Sequence, residues 1–365
     1  MSELKVRRFG VLTNGGDAPG LNAAVRAVCL SAEKKGMQAV GIRNGYSGLV
    51  SGEMEELSGK NLQEIFSSGG TVLGTSRYKP FKSPEKNPET GLYPAEAIVR
   101  NIEKWNLDAV VCMGGNGTNT TANLLRELGL NVIGLPKTID NDIVLTDVTF
   151  GFQSAVEVAS SSIDRLVTTA KSHGRIMLVE IMGHKTGWLA LEAGLGGGAD
   201  AILIPEIPYD PSSLASFLSR RADERGFAMV AVAEGAKDLE EARLGKKELK
   251  ARRAKSGLSV CGRISAALSE SGLPASHEIR SCSLGYLQRG GSPCAYDRVL
   301  ASRLGMTAAD FLEQGKFGVM AAVQNGEIVG VPLSDVAGKV KNVPRENELV
   351  KTALALGVSF GRNDL

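Results

Sequence analysis

Hydrophobic and polar positions along the 365 residues fall into a repeated unit: a short apolar run, a glycine-bearing turn, then a stretch with helical spacing. Residues 9–13 form such a run and open into Asn14, Gly15, Gly16, Asp17, Ala18, Pro19 and Gly20, after which 21–28 reads as a helix. Residues 109–113 form another and open into Gly114, Gly115, Asn116, Gly117 and Thr118, with a helix continuing through Leu128. Further strands are predicted at 40–43, 131–135, 174–181, 199–206 and 229–235, and helices at 94–105 and 154–169. Residues 45–49 read as the loop after the second strand, 79–94 as an exposed loop, and the densely charged 237–255 as a solvated helix. Strands alternating with helices define an α/β fold of mostly parallel sheets flanked by helices. No repeat of solenoid period is present. Two Rossmann-like lobes of similar build are expected, with the active site in the cleft between them. The crossing at Phe150, Gly151 and Phe152 suggests a larger lobe of 1–151 plus about 288–338 and a smaller one of about 152–287 plus 339–365.

Strand, glycine turn and helix N-terminus together make an anion site, because backbone N–H groups point outward and the helix dipole adds positive potential. The first turn is not a Walker loop, since Leu21 and Asn22 stand where Lys and Ser or Thr belong, and it does not fit Gly-x-Gly-x-x-Gly. The strand at 131–135 delivers Pro136, Lys137, Thr138, Ile139, Asp140, Asn141 and Asp142 to its carboxyl end. Two carboxylates spaced i, i+2 in a polar turn suit a general base with a metal or orienting partner. Lys137 beside them supplies a cation for phosphate or leaving-group charge. Acids that merely cap the next helix are the other reading of that spacing. Arg280 and Arg289 project from a strand and its exit toward one anion, as planar forks matched to phosphate. Glu206 reads as a strand-end cap.

Composition narrows the class. Apolar content of 43% with 22% charged residues is ordinary for a globular chain, and a net charge of +2 gives no sign of a nucleic-acid or membrane surface. Five cysteines without paired or metal-type spacing point to a reduced, cytoplasmic setting. The charged N-terminus shows no signal peptide, and no apolar run approaches transmembrane length. The 44 glycines cluster in short blocks, as suits loops that approach phosphates closely.

The blocks at 15–22, 114–118, 136–142, 182–183, 284–286 and 288–297 together resemble the 6-phosphofructokinase family, in that family's order. The resemblance implies a phosphotransferase that moves the γ-phosphate of ATP to the 1-hydroxyl of fructose 6-phosphate with Mg²⁺, pyrophosphate being the alternative donor. It implies Asp140 as the base on that hydroxyl, with Lys137, Arg77 and Thr138 around the phosphoryl group in transit. It places Gly16, Arg77, Tyr78, Gly115, Asn116, Gly117 and Thr118 around the donor. It places Thr138, Ile139, Asp140, Arg175, Met182, Gly183, His184, Glu234, Arg280, Tyr286, Gln288 and Arg289 around the sugar phosphate. Arg175 and Arg280 match positions that the family delivers from a neighbouring subunit, which implies a homodimer or homotetramer with shared active sites. The larger lobe is then the nucleotide-binding one and the smaller the fructose 6-phosphate-binding one.

Several positions depart from the family pattern. Asn116 stands where the family commonly has a magnesium-binding Asp; it keeps a carbonyl oxygen without the charge, leaving the metal to phosphates, water and Asp142. His184 replaces an Arg and lacks its bidentate fork. Tyr286 replaces a frequent His. Pyrophosphate users typically have Asp at position 117 and Lys at 137, whereas many ATP users have Gly at both; this chain combines Gly117 with Lys137. Gly117 leaves room for a nucleoside triphosphate, so ATP is the expected donor. Asn116 and His184 keep open a catalytically weak sugar-phosphate or nucleotide sensor, and a kinase for another sugar phosphate.

Overall fold

A computed structural model of the protein describes residues 6–58, 62–82 and 85–364. The first five residues of the charged N-terminus, and residues 83 and 84 of the loop expected at 79–94, lie outside the described residues. The strands are β1 (Arg8–Asn14), β2 (Gln38–Ile42), β3 (Met54–Leu57), β4 (Ala109–Gly114), β5 (Val132–Pro136), β6 (Ile176–Ile181), β7 (Ala201–Leu203), β8 (Ala228–Ala233), β9 (Ile279–Ser283), β10 (Val319–Gln324) and β11 (Glu327–Pro332). The chain divides into two compact units, Met1–Ser154 with Arg289–Lys341, and Ala155–Gln288 with Asn342–Leu365.

In the first unit the sheet runs β11-β10-β5-β4-β1-β2-β3. Its core is parallel and its two edge strands, β3 and β11, are antiparallel. The central strands read as unbroken apolar runs because both faces are covered; every residue of β4 and β5 is buried. Leu12, Ile42, Tyr46, Leu49, Ile98, Val110, Leu125 and Val132 belong to one hydrophobic cluster. The register carries the functional consequence. Asn14 pairs with Gly114, and Gly114 pairs with Pro136, so three strands end in one row. The loops that open at Gly15, Gly115 and Lys137 therefore leave the sheet side by side, at the edge where open α/β sheets bind ligands.

Some elements differ from the sequence expectation. Residues 45–49 are not a loop: Tyr46–Ser51 is a short helix that buries Tyr46 and Leu49, and Gly45 and Gly48 disguise it. β3 carries Glu55 and Glu56 on an edge, where charge hides a strand from hydrophobic patterning. The β10–β11 hairpin turns at Asn325 and Gly326, both at positive φ, the dipeptide that favours a tight turn. Within 79–94, Pro80–Lys82 makes a 3-10 turn with Pro80 buried.

The second unit has an all-parallel sheet, β7-β8-β6-β9. Its core includes Leu178, Leu203, Leu214, Leu218, Val230, Val232, Ile264 and Leu268. Helix Pro211–Arg225 shows how local sequence sets these elements. Asp210 caps it by accepting from Ser213 N, Pro211 occupies the first turn, and Gly226 ends it in left-handed backbone. The charged segment forms helix Lys246–Ser256, which buries no residue. It starts later than expected because Glu241 is buried in a preceding turn, where it accepts from Arg253 Nε and Nη2. Ile181 pairs with Ala233 and Glu180 with Ser283, so Met182, Glu234 and Leu284 also leave their sheet together. Among the described residues, no helix is long and apolar enough to cross a membrane.

Candidate active site

The first unit assembles two glycine loops and an acidic turn. Gly15 adopts φ +91°, open to glycine at little cost. At Gly16 a Cβ would stand 2.1 Å from Arg289 Nη1, so only glycine lets that guanidinium lie against the loop. Segment 74–76 fastens to the same loop: Gly15 N donates to Ser76 O at 2.8 Å and Thr75 Oγ1 to Gly15 O at 2.8 Å. Arg77 follows directly and is exposed. Tyr78, expected at the donor, packs its half-buried ring against the hydrophobic core.

Gly115 caps helix Asn116–Glu127. The opening residues Asn116 and Gly117 present N–H groups for which a helix start has no intrahelical acceptor. Thr118 differs from expectation. Its hydroxyl donates to Asn14 O at 3.2 Å and accepts from Asn14 Nδ2 at 3.2 Å, and its N–H donates to Gly115 O. It braces the cradle rather than offering a free group to phosphate. Asn14, which sequence reading passed over, ties the loops together; its Oδ1 also accepts from Tyr46 N at 3.2 Å. Among the described residues, a Cβ on Gly117 would meet Lys79 Cε at 3.8 Å, an ordinary contact.

The turn after β5 brings the charges together. Lys137 is buried (3% exposed), and its Nζ donates to Gly16 O. Burial pushes its ammonium down to about 8; Asp140 pulls the other way, Arg289 adds to the fall, and Asp17 and Asp142 oppose it. Carboxylate oxygens of Asp140 and Asp142 lie within 4.8 Å of each other. Burial first, and the Asp140 charge second, push Asp142 up to about 6, against the Asn116 amide and Lys341. Thr138 Oγ1 accepts from Asp140 N at 3.1 Å. Ile139 has a buried side chain and offers only its backbone. Asn116 Nδ2 donates to Asp142 O at 3.1 Å, while Asn116 Oδ1 is buried without a hydrogen-bond partner among the described residues. An orphaned amide oxygen beside a buried carboxylate is a set of hard donors that fits Mg²⁺. Asn141 and Leu145 of this turn have positive φ, and holding the Leu145 backbone there costs on the order of 1–3 kcal/mol.

In the second unit, Glu234 Oε1 accepts from Gly183 N at 3.2 Å and His184 N at 2.6 Å. Glu180, Met182, Glu234, Ser283, Gly285 and Tyr286 line a cavity of about 190 Å³. Glu180 was hidden inside an apolar strand pattern; burial and then Glu234 raise its carboxyl. Tyr286 is 76% exposed. Gln288, expected on the substrate, is fully buried, with Oε1 accepting from Met182 N and Nε2 donating to Gly285 O. Both ends of its amide hold loops, at Met182 and Gly285, that line the cavity. Arg289 lies beside Gly16 in the first unit, and Arg280 sits on β9, the edge strand of the second unit's sheet. Arg280 pairs with Glu278, which also accepts from Arg175 Nε at 2.5 Å. Glu206 is no strand-end cap; its Oε1 accepts from Gly187 N and Val343 N, both at 3.1 Å.

Fold and loops define an α/β protein that presents glycine turns and an open helix start next to a buried lysine and an acid pair. The chain belongs to the phosphofructokinase family, whose sequence model, described as "Phosphofructokinase", matches residues 8–312. An ATP-dependent 6-phosphofructokinase from Spirochaeta thermophila is 51% identical over 366 residues, covering 99% of each chain. A pyrophosphate–fructose 6-phosphate 1-phosphotransferase from Amycolatopsis methanolica is 42% identical, covering 93% of this chain and 97% of its own. Among solved structures, Pichia pastoris phosphofructokinase in the T-state superposes with a TM-score of 0.77 at 31% identity. That match covers 91% of this chain and 35% of the Pichia chain.

Proposed function

We propose that this protein transfers the γ-phosphate of ATP to the 1-hydroxyl of fructose 6-phosphate, giving fructose 1,6-bisphosphate. The observation that carries the proposal is the single row of Asn14, Gly114 and Pro136, which sets two anion cradles beside Lys137 and Asp140. Asp140 accepts the hydroxyl proton as the oxygen attacks phosphorus. N–H groups at Gly16, Gly115, Asn116 and Gly117 hold the donor phosphates. Lys137, Arg77 and Arg289 offset the charge that spreads over the transferring group. Thr138 Oγ1 takes its hydrogen bond from Asp140 N, which leaves the hydroxyl proton to donate to that group. Asp142 and Asn116 Oδ1 would hold Mg²⁺, which when bound supplies counter-charge to the polyphosphate tail. Glu234, Met182, Gly183 and His184 contact the sugar, and Arg175 and Arg280 its 6-phosphate.

A second reading, with pyrophosphate as donor, rests on Lys137. Steric room favours ATP, because nothing crowds a Cβ at Gly117. Turnover measured with ATP and pyrophosphate, against fructose 6-phosphate and a seven-carbon sugar phosphate, decides donor and acceptor. Preference for pyrophosphate sinks the ATP assignment, and absence of turnover with both donors beside tight ligand binding indicates a sensor. Gly117→Asp sharpens the test. It sets a like charge against the nucleotide phosphates, so kcat/KM for ATP falls by at least about tenfold while fructose 6-phosphate binding holds. An unaltered ATP preference in that variant would remove Gly117 from donor selection.

The same reading implies a homo-oligomer in the cytoplasm, in which Arg175 and Arg280 serve a neighbouring subunit. Its support is that Glu278, just before the edge strand β9, pairs with both guanidinium groups and so holds them together. Light scattering that finds only monomers in the presence of fructose 6-phosphate would exclude it.

A further inference from the structure

The turn that carries both aspartates depends on backbone that other residues must hold. Asn141 lies at φ 50° and Leu145 at φ 62°. Left-handed backbone at such residues persists only where the surroundings over-determine it. Lys341 lies far along the sequence, in a segment without catalytic motifs, yet it is bonded to this turn repeatedly. Its N–H donates to Asp142 O at 2.8 Å. Its Nζ donates to Asn141 Oδ1 at 3.1 Å, Thr146 O at 2.9 Å and Asp147 O at 3.0 Å. An ammonium group carries three donors, and these three acceptors use all of them. The bonds reach one left-handed residue through its side chain and the two carbonyls that follow the other. Thr149 completes the brace from within the loop, its N–H donating to Asn141 Oδ1 at 3.2 Å and its hydroxyl to Thr138 O at 2.7 Å.

We propose that Lys341 is the positioning residue of the Asp140–Asp142 turn. Its hydrogen bonds go to the Asn141 amide and to backbone carbonyls of the turn. By holding Asn141, which sits between the two acids, it sets the direction in which both carboxylates point. Only the kinetic part of this inference rests on the kinase reading. Misdirection of a base by a fraction of an ångström slows the chemical step without weakening ground-state contacts, so the effect belongs in kcat.

The experiment compares Lys341→Met, which keeps the stem and removes the three donors, with Lys341→Arg and the unaltered protein. Lys341→Met is expected to lower kcat by about ten- to a hundredfold, with KM for ATP and fructose 6-phosphate held within about threefold. Amide hydrogen exchange across 141–149 should accelerate while the melting temperature changes little. Lys341→Arg restores part of kcat, since it keeps the charge but not the three-way geometry. Unchanged kcat with unchanged exchange overturns the proposal. So does a fall in kcat accompanied by matching losses in both KM values and in melting temperature, which marks a purely structural residue. If Lys341→Met does not fold, Lys341→Arg decides on the same readouts. If the unaltered protein shows no turnover, the kinase reading fails, and exchange across 141–149 still decides the role of Lys341.

Discussion

Asp140→Asn is expected to lower kcat by about 10²–10⁴, the range that follows loss of a general base. The amide fills the same volume and still accepts hydrogen bonds, so KM for either substrate should move little. Asp140 is well placed for the role. It follows Thr138, whose hydroxyl fixes its backbone N–H, and its charge is the strongest influence holding Lys137 protonated against burial. That coupling supplies a second signature. Without the Asp140 charge Lys137 loses its proton more readily, so the alkaline limb of the residual activity should shift to lower pH. The acid pair alone would also suit a turn that caps a helix, and the variant separates the two roles. Turnover near that of the unaltered protein means the carboxylate takes no proton, and the proposed chemistry falls with it.

Much of the fold is legible in the sequence because the central strands of both sheets are parallel and buried. The central strands are then mostly apolar runs, and β1, β4, β5, β6 and β8 stand out in the one-dimensional pattern. Edge elements are less visible. β3 presents charge to solvent, and the β10–β11 hairpin was marked only by Asn325 and Gly326. Motifs identify which residues cluster, but not whether their polar atoms face a ligand. Thr118 and Gln288 belong to the motifs, yet both use their polar groups on neighbouring loops. Tyr78 turned its ring toward the core. Lys341 was unreadable for a different reason. Its partners are two backbone carbonyls and one asparagine about two hundred residues away, and hydrogen bonds to backbone leave no mark in sequence spacing.

The buried ammonium sets the remaining large effect. Lys137→Met should reduce kcat by about 10²–10³, comparable to removing one preorganised donor from a developing anion. Burial has brought its pKa to about 8, so the cation predominates in neutral solution and disappears as pH rises through that value. Asp142, raised to about 6, is ionised above that value and becomes neutral as pH falls through it. In free enzyme the two define a window, and kcat/KM should describe a bell with limbs near 6 and 8. The lysine variant tests the alkaline limb directly. With methionine at 137 that ammonium is gone, so the residual kcat/KM should stay level through pH 8 while the acid limb survives. An alkaline limb that persists unchanged would assign it to another group. A variant with full activity would show that Lys137 serves the folding of the Gly16 loop, through its bond to Gly16 O, rather than the charge in transit.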